Sequence, residues 1–381
     1  MRYRSTAIRR KTDQGRFLHF PSRHLRYDDV IASIPGGDMA NRPTVKDVAE
    51  AAGVSVTTVD RALNGRLKVR EETLKRIAEA AHKIGYHGRG LLDQRLDLTI
   101  PAITFGFVLL KGKQEFYQNF ARELERAVAA RSDIRGKPIV RFAVSQHPDD
   151  FAEHLVDLGA KVDTIGAVAV NHHSLDQVVQ TLQDRNVPVF SLLNDFGQGI
   201  RRNYLGLNNM KVGRLAAWMI TNISKKHGKL AVFVGGNRWH GHVLREVGFR
   251  AFVRENAPGF DVLDTLVNLE TRQVTYEATI DLLGRHGDLR GIYVAGGGME
   301  GAIAALREAR APGDVTLVVN ELTQDSQRAL ADGYVQMVIA TPLQELCRRL
   351  VDMMIRSVNE RAGGETGQHF LEPRVIVPEA I

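Results

Sequence analysis

The sequence predicts two unlike folds in series: a small all-α helix-turn-helix domain, then a large α/β domain of two lobes. Three observations lead there. Residues Thr44 to Tyr86 carry helix caps and stops around apolar positions spaced three and four apart. From Ile103 onward, short β-branched runs alternate with helical stretches, the pattern of parallel sheets wound by crossover helices. Charge is uneven: residues 1–96 hold 19 Lys and Arg against 11 Asp and Glu, an excess of +8 that leaves −1 for the rest of the net +7.

Each helix of the first domain has its own punctuation. Thr44 caps the first, and Asp47 three residues on returns the bond in a variant of the capping box. Val45, Val48, Ala49 and Ala52 form its apolar stripe, and Gly53 ends it by entering the left-handed region. Ser55 caps the second helix, with Val59, Ala62 and Leu63 inward and Asn64-Gly65 as its close. A third runs from about Glu71, with Leu74, Ile77, Ala81 and Ile84 inward and Gly85 as its stop. A helix, a short turn containing Gly and a second helix make the DNA-binding helix-turn-helix, and the basic excess sits where nucleic acid would lie.

Thr44-Val-Lys-Asp-Val-Ala, Ala52-Gly-Val-Ser-Val-Thr-Thr-Val, Arg61-Ala-Leu-Asn-Gly and Ile84-Gly-Tyr resemble the headpiece of the lac repressor family of bacterial transcription regulators. The resemblance implies a homodimeric repressor that places two recognition helices in successive major grooves of pseudo-palindromic, double-stranded operator DNA. Arg61 would fork onto a guanine, and Val56 and Thr57 would touch a thymine methyl or a base edge. Ser55, Thr58, Lys46, Arg66, Lys68 and Arg70 would meet phosphates, with Thr44 and Asn64 at the same surface. The family's usual serine before the recognition arginine is Asp60 here. A carboxylate is repelled by phosphate, so Asp60 orients Arg61 by a local contact, accepts from a cytosine amino group or faces solvent, in that order of preference.

The flanks are less regular. Residues 1–38 are polar and basic and lack the apolar core of about 7 to 15 residues that a secretory signal needs. They read as a disordered leader, either an extra DNA arm or a stretch ahead of a natural start at Met39. The helix-turn-helix domain then spans 39–87, a hinge linker 88–101, and the effector-binding and dimerisation domain 102–381. In the family such a hinge folds as a short helix on the minor groove, where an apolar side chain wedges between base steps. Leu91, Leu92 and Leu96 are the apolar candidates here.

Strands are expected over 103–110, 139–144, 165–170, 187–193, 230–234, 262–269, 291–295 and 315–319, with a first crossing between lobes near Arg201. The arrangement is similar to the type I periplasmic-binding-protein-like core of the family, where a small-molecule effector, a sugar or polyol, sits between the lobes. In open α/β lobes a ligand meets the carboxyl ends of strands. That rule selects Phe116, Tyr117, Asn171, His172, Asn194, Asp195, Asn237, Glu270, Gly296, Gly297, Gly298, Asn320 and Glu321, carboxylates, amides and aromatics suited to a hydroxylated ring among them. The resemblance adds Arg245 for the ligand hydroxyls.

Composition narrows the rest. A hydrophobic share of 44% suits a chain with sizeable cores. The single cysteine, Cys347, excludes an internal disulfide and fits a reducing, cytoplasmic setting. No apolar run approaches the roughly 20 residues of a membrane span, so no membrane partner is expected. No metal constellation and no cofactor are implied, and no catalytic acid or nucleophile arrangement stands out. One motif competes: Gly296-x-Gly298-x-x-Gly301 after an apolar strand, with Glu321 further on, matches the dinucleotide fingerprint. Alone it would make the chain an NAD-dependent polyol oxidoreductase; a solute-binding receptor is the other alternative to a regulator.

Overall fold

The computed structural model describes residues 42–65, 69–360 and 366–381, with backbone alone at 97–99. The leader, Arg66 and Lys68 lie outside the described residues. The chain divides into two compact units, residues 1–99 and 100–381.

The first unit holds α1 (Val45–Ala52), α2 (Val56–Asn64), α3 (Glu71–Lys83) and α4 (Arg89–Thr99). The caps follow the sequence. Thr44 and Asp47 close the capping box, Gly53 and Gly65 take left-handed φ of 63° and 64°, and the Ser55 hydroxyl accepts from the Thr58 amide at 3.2 Å. Two arginines finish what the glycines begin. Arg76 of α3 donates to Ala52 O at 2.7 Å, and the Arg95 guanidinium of α4 lies over Gly65, donating to Asn64 O at 3.5 Å. Cations on the last carbonyls of α1 and α2 satisfy orphan acceptors and suit the helix dipole.

Helix α4 occupies the stretch assigned to the hinge. Its Leu92 is fully buried in one core with Val48, Val59, Ile77 and Tyr86, and Leu96 packs against that core. His82 of α3 lies 2.9 Å from Asp93 of α4. Leu92 is therefore a core residue of the headpiece and unavailable as a wedge in this arrangement. Of the three hinge leucines, Leu91 is the exposed one.

The second unit contains two sheets. The first is all parallel, in the order β12-β5-β4-β3-β1-β2, from β1 (Ala102–Leu110), β2 (Arg135–Ala143), β3 (Thr164–Ala167), β4 (Val189–Leu192), β5 (Asn203–Leu207) and β12 (Gly367–Leu371). It is wrapped by α5 (Glu115–Ala129), α6 (Pro148–Gly159), α7 (His173–Asp184) and α13 (Leu343–Glu360). The second runs β13-β11-β10-β9-β6-β7, from β6 (Lys229–Val234), β7 (Asp261–Val262), β9 (Leu289–Val294), β10 (Thr316–Asn320), β11 (Met337–Ala340) and β13 (Arg374–Ile376), with β8 (Leu266–Val267) beside β6. Its helices are α8 (Asn209–Ile223), α9 (His240–Asn256), α10 (Arg272–Arg285), α11 (Met299–Ala309) and α12 (Gln324–Ala331). Among the described strands only β13 is antiparallel to its neighbour.

Two expectations need correction. The first crossing is at Asn208 and not near Arg201, because β5 still pairs with β4 in the first sheet before α8 begins the second lobe. The strand expected over 262–269 is two short strands, β7 and β8, each pairing with β6. Two later crossings, at 341–342 and 372–373, return the chain to the first lobe and back, so three strands of chain join the lobes. α8 and α9 pack backbone to backbone at glycines. A Cβ on Gly213 would lie 1.8 Å from Arg245 O, and one on Gly248 2.1 Å from Met210 O. That close approach carries Arg245 to the cleft.

Candidate functional site: an exposed helix face and an interlobe cleft

On α2 the outward side chains are Ser55, Val56, Thr57, Asp60, Arg61 and Asn64, while Val59 and Ala62 are buried. Thr58 is half-buried and its hydroxyl pairs with Ser55 at 2.8 Å. Val56, 48% exposed, is an apolar side chain with no core contact to justify it, as a thymine-methyl reader would be. Asp60 does not hold Arg61. It accepts from the Asn64 amide at 2.7 Å, one helical turn on, because residues four apart share a face and adjacent ones do not. Arg61 is left extended to solvent with its donors unused among the described residues. Thr44 is engaged in capping α1, its hydroxyl bonded to Asp47 at 2.8 Å.

The second site is a cavity of about 370 Å³ between the two lobes. It is built from the carboxyl ends of strands in both sheets. Of the expected ligand residues, Phe116, Tyr117, Asn194, Arg245, Glu270, Gly296, Gly297, Gly298, Asn320 and Glu321 line it; Asn171, His172, Asp195 and Asn237 do not. Asp195 is a structural ion: it receives Arg201 at 2.5 and 2.9 Å, Ser191 at 3.0 Å and Gln368 at 2.7 Å. Burial opposes its ionisation, but the Arg201 and Gln368 hydrogen bonds outweigh this and hold its carboxyl below the usual range. Its neighbour Asn194 faces the cavity instead, one residue's difference turning the chain through the left-handed Leu193. His172 caps α7, its Nδ1 2.8 Å from Ser174 Oγ, and Asn171 is exposed.

The floor of the cavity is polar and buried. Arg245 Nε donates to Asn209 at 2.7 Å and Nη1 to Ala295 O at 2.6 Å, which fixes the guanidinium while Nη2 has no hydrogen-bond partner among the described residues. Glu321 accepts from the Thr341 amide at 2.9 Å and its hydroxyl at 2.6 Å. Burial raises the carboxyls of Glu270 and Glu321 above their ordinary values; Lys111 and the Thr341 bonds respectively offset part of this. Burial pushes His242 down to about 3, and its Nδ1 accepts from the Gly235 amide at 3.1 Å, so the ring is neutral with its proton on Nε2. Aromatic faces come from Phe116, Tyr117 and Trp239. Fixed donors and acceptors beside flat apolar faces are what a hydroxylated ring needs.

Trp239, His242, Gln114 and Glu300 also line the cavity and were not singled out from sequence. The first two follow β6, where Asn237 was the nearest strand-end choice; the helix start at His240 turns Trp239 inward, and Asn237 is exposed. One signal does survive in the backbone. Of six non-glycine residues with positive φ among those described, Lys111, Leu193, Leu269, Glu270 and Glu321 all follow strands that end at the cleft. Such conformations persist where surrounding structure over-determines them, and they gather at functional sites.

The glycines of the dinucleotide-like motif serve packing. A Cβ on Gly301 would stand 2.1 Å from Arg272 O, where α10 and α11 touch, and one on Gly298 2.4 Å from Thr275 Oγ1. Glu321, the would-be ribose anchor, is held at both oxygens by Thr341. Among the described residues no group of His, Cys, Asp and Glu could hold a metal ion, and no helix is long and apolar enough to cross a membrane.

Comparison with known proteins gives the two units separate matches. Residues 44–88 match the model for bacterial regulatory proteins of the lacI family, and residues 105–362 that of a periplasmic binding protein domain. The HTH-type transcriptional regulator GalS of Salmonella typhimurium is 23% identical over 269 residues, covering 70% of this chain and 75% of that protein. The regulator CelR of Thermobifida fusca is 27% identical over 282 residues, covering 71% and 78%. The sucrose operon repressor of Klebsiella pneumoniae is 40% identical over 85 residues, 19% of this chain and 25% of that one. Among solved structures, a solute-binding protein of Burkholderia graminis in complex with D-arabinose superimposes with a TM-score of 0.68 at 18% identity, covering 74% of this chain and 96% of that one. One from Bacillus halodurans with bound myo-inositol gives 0.64 at 16%, with the same coverage. These structural likenesses establish the fold of the second unit.

Proposed function

This chain belongs to the lacI family of bacterial regulatory proteins, and from that premise we propose that it is a repressor whose operator affinity is set by a sugar or polyol in the interlobe cavity. The observation that carries the reading is the outward face of α2, where Val56, Thr57, Arg61 and Asn64 stand free of the headpiece core beside a capped N-terminus. Arg61 reads a guanine through paired donors, Val56 and Thr57 contact a neighbouring pair, and Ser55 and Arg70 meet phosphates. Two copies of the chain present two such helices to the half-sites of a pseudo-palindrome.

The cavity supplies the second half. Arg245 and Asn194 offer donors, Glu270, Glu321 and Asn320 acceptors, and Tyr117 and Trp239 a flat face. A ligand that prefers one relative placement of the lobes shifts their equilibrium and, through it, the affinity for DNA. The relatives are transcription regulators, so the hydride-transfer alternative has no support from them.

The test is enrichment of duplex DNA from a randomised library on the full chain, followed by a thermal-shift screen of sugars and polyols. Recovery of a two-fold symmetric sequence and a raised melting temperature with at least one sugar support the reading. Failure to enrich any sequence, at low salt, overturns the DNA half; no shift with any sugar or polyol overturns the ligand half.

A further inference from the structure

The rim of the cleft holds an arrangement that ligand contact alone does not require. Leu269 and Glu270, just beyond β8, both take left-handed backbone, with φ of 51° and 54°. Neither is glycine, and side-chain-bearing residues keep this strained conformation only where the surrounding structure over-determines it. Three side chains of the opposite lobe grip this turn. Lys111 Nζ donates to Leu269 O at 3.0 Å and Glu270 O at 3.2 Å, and Gln114 Nε2 to Glu270 O at 3.4 Å. Gln146 Nε2 reaches Leu269 O and the Glu270 carboxylate, each at 3.3 Å. The same amide accepts at its oxygen from the Trp239 indole at 2.9 Å. Lys111, itself left-handed with φ 45°, stands 3.9 Å from the Glu270 carboxylate.

We propose that Lys111 and Gln146 form a clasp that holds the lobes closed and positions the Glu270 carboxylate and the Trp239 ring in the cavity, so that Gln146 is a positioning residue for the ligand site. Three features support a clasp over incidental packing. The Gln146 amide is used from both ends, with its oxygen on Trp239 and its nitrogen on Glu270, and both partners line the cavity. Both carbonyls of the left-handed turn are turned to donors of the other lobe. The turn's apolar side chain, Leu269, is 54% exposed, so core packing does not explain its conformation. When the lobes part, the turn loses its donors, Glu270 loses Lys111 and Gln146, and Trp239 loses its indole partner. Cavity chemistry and lobe closure are thereby one event, which is how occupancy would reach the DNA-binding unit; that last step rests on the sugar-responsive reading above.

Trp239 makes the clasp visible. The chain has two tryptophans, and Trp218 is 48% exposed while Trp239 is buried. In a Trp218→Phe background, the emission of the full chain reports Trp239 alone. Gln146→Leu and Lys111→Met are each expected to shift that emission to the red in the absence of any ligand, with the chain still folded by circular dichroism. Gln146→Glu provides a variant of equal size: it sets a carboxylate against Glu270, so its emission is red-shifted at neutral pH and returns toward the blue as acid protonates one of the pair. The charged and titratable groups facing this contact are Lys111, His242, Arg245 and Glu270. Unchanged emission in Gln146→Leu and Lys111→Met, or a Gln146→Glu emission that does not respond to pH, overturns the clasp. Because no ligand is present, the outcome is independent of whether the cavity takes a sugar.

Discussion

In the headpiece, Ser55, Val56, Thr57, Asp60, Arg61 and Asn64 share one helix, and local rules alone decide which way they point. In the cleft, Tyr117 and Arg245 arrive on two helices, α5 and α9, and Glu270 and Glu321 from the ends of two strands, β8 and β10, and their meeting depends on the whole topology. The difference has an energetic side. The reading face of α2 is exposed and nearly free of protein partners, so changes there act on DNA and little on folding. The cleft residues are buried and hydrogen-bonded, so changes there act on both. A one-residue displacement is harmless to neither, as Asn194 and Asp195 illustrate: one lines the cavity, the other is locked to Arg201.

Mutations can break this comparison, beginning with the largest effect. Asp195→Ala strands a buried Arg201 and is expected to destabilise the second unit by about 3–5 kcal/mol in denaturant unfolding, although it touches no ligand. Leu92→Ala empties a fully buried position of the headpiece core; a loss of about 2–5 kcal/mol in the headpiece transition is expected, and a loss near zero would return Leu92 to the hinge. Arg61→Ala should leave thermal stability unchanged and weaken the selected operator by about 1–3 kcal/mol, with relaxed preference at one base pair in competition binding. Asp60→Ala removes only an exposed i,i+4 contact with Asn64, and the headpiece melt should move by about 0.2–0.5 kcal/mol. A larger loss of DNA affinity in Asp60→Ala than in Arg61→Ala would reverse their assigned roles.

How much was legible follows the same division. The starts and stops of α1 and α2 were readable because a hydroxyl, a carboxylate or a glycine decides each within four residues, whereas α3 begins after Arg70 with no side-chain cap. The alternation of strands and helices was readable for the same reason of period. What escaped was set at long range. Strand β5 lies in the stretch after Arg201 where the crossing is expected; only its pairing with β4 and β12 makes it a strand of the first lobe and moves the crossing to Asn208. Strand β12 pairs at the sheet edge and shows no continuous apolar run. Leu92 lies in a segment whose helix resembles a linker by composition, and its burial comes from the helices α4 packs on, α2 and α3, and not from α4 itself. In the cleft, strand-end position found Phe116, Tyr117, Asn194, Glu270, Asn320 and Glu321, since carboxyl ends do face the ligand side, while Arg245 came from the family resemblance. It missed Trp239 and His242, which sit past a glycine turn where the distance from the strand end no longer tells the direction of the side chain.

The central claim is that occupancy of the interlobe cavity alters the affinity of the headpiece for DNA. Fluorescence anisotropy of the full chain on the enriched duplex, titrated with and without a saturating concentration of the sugar found by thermal shift, tests it directly. A coupling typical of such proteins, about 1–3 kcal/mol, appears as a change of roughly 5- to 150-fold in the apparent Kd for DNA. An unchanged Kd at a sugar concentration that saturates the thermal shift contradicts the account.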